Sequence, residues 1–136
     1  MSYVSNRPGP ASGGFVVSVS AGANITITGT ATNPIVNFAG TMTYNNAATT
    51  PYVVPITAEF ISVDCSGGPI TVQLPNAPVT GYFFVIKDRT GNAASNNITV
   101  TTVGGVKLID GATSAVIATN YESLNVLYNG TNYETY

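Results

Sequence analysis

From Asn24 onward the chain alternates. Ile25 and Ile27 stand between Thr26 and Thr28, and a period of two puts one kind of residue on each face of a strand. The pattern predicts a strand over 24–32, broken by Asn33-Pro34, and a short one over 35–38. Upstream, FVVSVS at 15–20 is β-branched and partly alternating, and 21–24 is turn text. Residues 40–50 are small and polar around Asn45-Asn46 and read as a linker or long loop between two unequal parts. The second part resumes at 52–56, where Pro55 points to an edge position. At 59–65, Phe60 and Ser62 lie opposite Ile61 and Val63. At 70–74, Ile70, Val72 and Leu74 share a face. The run 82–87, YFFVIK, is almost wholly apolar and predicts a central strand buried on both faces. Further short strands are expected at 98–103, 106–109, 115–118, 121–128 and 132–136. Asp110-Gly111 and Asn129-Gly130 are two-residue hairpin signals between them.

No stretch carries a 3.6-residue period with helix caps. About ten short Val-, Ile- and Thr-rich strands between Gly, Asn and Pro turns predict an all-β fold. The expected form is a small antiparallel β-sandwich or jelly-roll-like barrel with an extended N-terminal arm. Three segments follow: an arm over 1–14, an N-terminal β-motif or stem over 15–47, and a C-terminal sandwich domain over 48–136. The arm, MSYVSNRPGPASGG, shows no periodicity. It reads either as a disordered tail or as a segment that docks on a neighbour.

Composition narrows the chemistry. Of 136 residues 44% are hydrophobic and 7% charged, with four Lys/Arg, six Asp/Glu, one Cys and neither His nor Trp. A core is therefore available, while histidine acid–base chemistry and His-ligated metal sites are excluded. Four basic residues give no patch for a phosphate backbone, so no nucleic-acid partner is expected. No apolar run is long enough for a membrane span, and 1–10 lacks the apolar core of a secretory leader. Cys65 has no second cysteine to pair with and no His to activate it, and reads as a small buried hydrophobe. No cofactor is expected. With so few charges the surface must be Thr, Ser, Asn and Gly, which costs little to bury against a partner.

The carboxylates Glu59, Asp64, Asp88, Asp110, Glu122 and Glu134 are scattered singly over turns and strands. That spacing suits neither a hydrolytic pair nor a calcium loop, and no catalytic residue is expected. Asp64, Asp88 and Asp110 sit where turns use Asp for local hydrogen bonds. Lys87-Asp88-Arg89, the one charge cluster, reads as a solvated turn or as a salt-bridged contact to another subunit. Three Asn-X-Thr sequons, at Asn24, Asn97 and Asn129, read as accidents of an Asn- and Thr-rich chain without a leader. Tyr121, Tyr128, Tyr133 and Tyr136 crowd the C-terminus and are candidates for core, subunit interface or sugar-stacking contacts.

These residues also carry a resemblance. Ile70-Thr71-Val72-Gln73-Leu74-Pro75, Val85-Ile86-Lys87-Asp88 with Thr90-Gly91-Asn92-Ala93, and Asn96-Asn97-Ile98-Thr99-Val100 form its first part. Ile109-Asp110-Gly111 and Leu127-Tyr128-Asn129-Gly130-Thr131-Asn132-Tyr133 complete it. Together they resemble a β-rich module of virion structural proteins in tailed phages and some large viruses. Tyr133 stands where that family usually has Trp. The stretch from Ser20 to Thr30, with Asn33-Pro34, is similar to a motif of viral fibre proteins. The resemblance implies a non-enzymatic, trimeric protein located in the virion, of the capsid-decoration or head-fibre type. It would touch copies of itself and the major capsid protein or another virion protein. Tyr3, Val4, Arg7 and Pro8 would then anchor the arm on the capsid. A cyclic trimer would also cover edge strands that a lone small domain leaves open. The competing expectation is a receptor- or glycan-binding tail-fibre tip that meets a host surface glycan through the C-terminal tyrosines.

Overall fold

The computed structural model describes residues 25–30, 33–38 and 42–136. The expected strand at 15–20 and the arm lie outside them. β1 (Ile25–Thr30) and β2 (Asn33–Phe38) form a two-stranded antiparallel sheet, with Ile25 opposite Phe38 and Thr30 opposite Asn33. Asn37 Nδ2 donates to Thr28 Oγ1 across it at 3.2 Å. This hairpin belongs to a separate unit from Met42–Tyr136.

In the second unit the chain steps from one sheet to the other and back. β3 (Tyr44–Ala47), β5 (Phe60–Val63) and β7 (Phe83–Asp88) fall in one sheet, and β4 (Tyr52–Val53), β6 (Ile70–Leu74) and β8 (Ile98–Thr102) in the other. Each return lies parallel to the previous strand of its sheet: β3 to β5, β5 to β7, β4 to β6 and β6 to β8. The result is a flattened solenoid of three stacked coils. The chain then reverses. β9 (Ala115–Ile117) pairs antiparallel with β8, β10 (Ser123–Tyr128) with β7, and β11 (Tyr133–Thr135) with β10. The sheets read β11-β10-β7-β5-β3 and β4-β6-β8-β9.

The protein is thus an all-β sandwich, as expected, but its sheets are mixed where only antiparallel pairing was foreseen. The cause lies in the connections. Residues 48–59 and 64–82 each pass through the opposite sheet before returning, and a return of a dozen or more residues permits parallel pairing.

The core lies between the sheets. Ile61, Val63, Phe84, Ile86 and Val126 on one side meet Ile70, Val72, Leu74, Ile98, Val100 and Ile117 on the other. Each such side chain contributes about 1.5–3 kcal/mol when fully buried. Tyr133 closes one end of this core, packed edge-on to Phe84 with ring centroids 6.1 Å apart.

Four local readings change. The stretch read as a linker holds β3, which pairs with β5, so 44–47 belong to the sandwich and not to the stem. β7 is central, but only its inner face is buried; Phe83 on the outer face is 36% exposed. The expected strand at 106–109 does not form: a 3-10 turn over Val103–Gly105, with Gly104 at φ 66°, precedes it, and within it Ile109 alone bridges, to Ala112 and Tyr133. The β10–β11 hairpin closes through four residues rather than two. Asn129 N donates to Asn132 O, and Asn129 Oδ1 accepts from the Thr131 and Asn132 amides.

Candidate functional site

The densest polar constellation is built around Asp88. As the last residue of β7 it points inward and is fully buried. Its carboxylate accepts backbone N–H bonds from Thr90 (3.0 Å), Gly91 (3.0 Å), Ala93 (3.1 Å) and Tyr121 (3.0 Å). It also accepts from Thr90 Oγ1 at 3.4 Å, and Cys65 Sγ donates to it at 3.5 Å. Burial pushes the carboxyl upward, but the four N–H donors outweigh it and hold Asp88 down at about 2. So the middle member of Lys87-Asp88-Arg89 is not a solvated turn residue. It is an ionised hub that fixes the 89–93 turn to the start of the β10 segment. Every oxygen lone pair that could take up a substrate proton is occupied by the fold.

The neighbours of Asp88 follow from this hub. Cys65 is buried, as expected, and desolvation first, with the nearby Asp88 charge, raises its thiol pKa. A thiol so placed is a poor nucleophile. Tyr121 adopts φ 61° while its amide bonds Asp88. Its ring lies over Gly91, where an added Cβ would sit 2.3 Å from the ring. Lys87 Nζ stands 5.8 Å from the centroid of the same ring, within cation–π range. Arg89 pairs with Asp64 at 2.8 Å. Both lie near the surface, so the pair contributes little to stability. Asp64 also accepts from the Ser66 hydroxyl and amide, which keep its pKa low. Beside it lies an open groove of about 350 Å³ lined by Ala48, Thr50, Asp64 and 66–70. Its lining holds one carboxylate and two hydroxyls, with Ser66 Oγ donating to Asp64 and Thr50 Oγ1 accepting from the Thr71 amide, and no base to activate any of them. Among the described residues no three Cys, Asp or Glu side chains cluster as a metal site would require.

The C-terminal tyrosines divide. Tyr128 and Tyr133 are core residues whose hydroxyls donate to Gly130 O (2.9 Å) and Pro75 O (2.6 Å). Neither presents a face for a partner or a sugar. Tyr121 and Tyr136 are 64% and 68% exposed. Tyr3, Val4, Arg7 and Pro8 lie outside the described residues, as does the sequon at Asn24. Asn97 and Asn129 are engaged in turns: Asn97 Nδ2 donates to Ala93 O, and Asn129 caps its own loop.

What sequence reading missed is the outer face of the five-stranded sheet. The ladder places Tyr44, Phe60, Val85 and Asn125 side by side across β3, β5, β7 and β10. Tyr136, whose amide donates to Asn125 O at 3.3 Å, ends the row. Tyr44 and Phe60 stack with centroids 5.7 Å apart and planes 11° off parallel. Phe83 and Leu127, paired across β7 and β10, extend the apolar band along the strands. Among the described residues, charge flanks the row: Glu134 on one side, and on the other Lys87 and Arg89, whose Nη1 donates to Asn46 Oδ1 at 3.5 Å and whose Nη2 pairs with Asp64. The almost wholly apolar run 82–87 was the available signal: two of its outward residues, Phe83 and Val85, are apolar although they face away from the core.

No protein-family model matches the chain, and no curated protein matches it.

Proposed function

We propose that the chain is a non-enzymatic structural subunit that assembles with copies of itself, a homotrimeric capsid-decoration or head-fibre protein of a virion. The observation that carries self-assembly is the apolar row across the outer face, from Tyr44 through Phe60 and Val85 to Tyr136. A contiguous apolar patch on a sheet face is normally covered by a partner. A surface this poor in charge offers little repulsion between identical copies. The non-enzymatic part is supported by the saturation of Asp88 and the isolation of the other carboxylates. The virion setting rests on the module-like text at 70–75, 85–93, 96–100 and 127–133.

Absolute mass by light scattering on a sizing column tests the reading. A mass near three chains supports it, and a stable monomer overturns the trimer.

A second reading, a glycan-binding tip, is favoured by the exposed Tyr121 ring packed against Gly91, since exposed tyrosine rings can stack on sugars. Sugar binding on a glycan array that Tyr121→Ala abolishes would establish it; an array with no hits removes it.

A further inference from the structure

The sandwich protects its edges unequally. At one end of the five-stranded sheet, β11 is covered by the 108–110 segment: Tyr133 N donates to Leu108 O, Asp110 N donates to Tyr133 O, and Thr135 N donates to Asp110 Oδ1. In the other sheet, β4 is two residues long and lies between Pro51 and Pro55, and β9 has three residues. Short strands and flanking prolines are the usual protections of an edge. β3 has neither. It is four residues, Tyr-Asn-Asn-Ala, without charge or proline, and among the described residues it pairs only with β5.

Its hydrogen-bond register shows which groups are open. Phe60 N donates to Thr43 O at 3.0 Å and Asp64 N to Ala47 O at 2.8 Å. In a parallel ladder alternate residues face each neighbour. Thr43, Asn45 and Ala47 therefore spend their backbone groups on β5, and Tyr44 and Asn46 turn theirs away from the sheet. A side chain gives an independent sign. Asn45 Nδ2 is buried and has no acceptor among the described residues. A buried donor left unpaired costs about 1–3 kcal/mol. Of the two such atoms, the other being Asn76 Oδ1, only Asn45 lies on this edge.

The same chain contains a strand with the opposite need. Among the described residues β1 and β2 form a two-stranded sheet, an arrangement marginal on its own. No charge occurs anywhere in 25–38, and β1 is free of the proline that interrupts β2. We propose that β1 of a second copy adds as a strand to the β3 edge, covering Tyr44 and Asn46 and bringing an acceptor to Asn45. Each copy then offers one donor strand and one acceptor edge. Such head-to-tail pairing gives a ring where the rotation between copies closes and a filament where it does not; the inference rests on the self-assembly proposed above, takes the closed form for the trimer, and gives it a mechanism.

The test uses the full chain. Mass by light scattering is combined with amide hydrogen exchange at 44–47. Asn46→Pro removes one outward N–H and none that β5 uses, and Ile27→Pro breaks β1. The expected result is an assembled wild type in which the Tyr44 and Asn46 amides exchange within about tenfold of Asn45 and Ala47. Both variants should fall to the mass of one chain, with Asn46→Pro keeping the wild-type circular dichroism. An assembled wild type whose Tyr44 and Asn46 amides exchange freely overturns strand addition and leaves self-assembly standing. So does undiminished mass in either variant. A wild type monomeric at every concentration overturns both, whether or not those amides are slow. Should Asn46→Pro fail to fold, the wild-type exchange pattern and Ile27→Pro decide.

Discussion

A carboxylate without water beside it is tolerated only where the fold replaces its hydration, and Asp88 does this with four backbone N–H donors from 90, 91, 93 and 121. The consequence is a pH dependence whose sign is fixed. The folded-state pKa, about 2, lies below the model value of 3.8, so the unfolded chain binds the proton more readily. The contribution is fully present above about pH 5 and is lost as pH falls toward 2. A depression of this size corresponds to about 2 kcal/mol. Asp64 and Asp110, lowered by their bonds to Ser66 and Thr135, act in the same direction at the surface. Asp88→Asn replaces an acceptor oxygen with an amide nitrogen that faces N–H donors. Urea unfolding at pH 7 should show a loss of about 2–4 kcal/mol. Repeated at pH 3, the gap between variant and wild type should narrow; an equal gap at both pH values would show that the carboxylate's charge is irrelevant.

Among the elements, β7 separates what alternation reveals from what it hides. Its register puts Phe84 and Ile86 inside and Phe83 and Val85 outside, although all four are apolar in the text. Phe84→Ala should therefore cost about 3–5 kcal/mol, as expected for a buried ring. Phe83→Ala should stay below about 1 kcal/mol in the monomer. Comparable urea midpoints for the two would restore a strand buried on both faces. The inner faces of β5, β6, β8 and β10 were legible because burial on one side writes itself as a period of two. Strand direction was not, since parallel and antiparallel strands alternate alike. The three coils were also invisible as a repeat, because β3, β5 and β7 begin at Tyr44, Phe60 and Phe83 and the spacing is uneven. β3 escaped notice because its inward residues are Asn45 and Ala47, too polar and too small to mark a core face. Asp88 looked like any turn aspartate, since nothing local announces that the amides of 93 and 121 converge on it. Tyr128 and Tyr133 could not be told from Tyr121 and Tyr136 by type. Their burial depends on which strand faces which sheet.

At the scale of the whole molecule the outer face and the β3 edge are different surfaces with different tests. The edge offers backbone groups, whereas the face offers a mostly apolar row of side chains with charge only at its flanks. Association through that face would be driven by apolar burial, so added sodium chloride should leave the assembled mass unchanged, because screening has little to act on. Val85 is the position that isolates this effect. It sits mid-row between Phe60 and Asn125 and points away from the core. Val85→Lys places a charge where a partner's apolar surface would lie, and an unpaired buried charge costs several kcal/mol. In a lone chain the lysine reaches water along its apolar stem, so urea stability should change by less than about 1 kcal/mol. The expected outcome on a sizing column with light scattering is the mass of one chain and a wild-type fold. An assembly that survives Val85→Lys would show that the outer face stays in solvent, leaving the β3 edge as the surface through which copies meet.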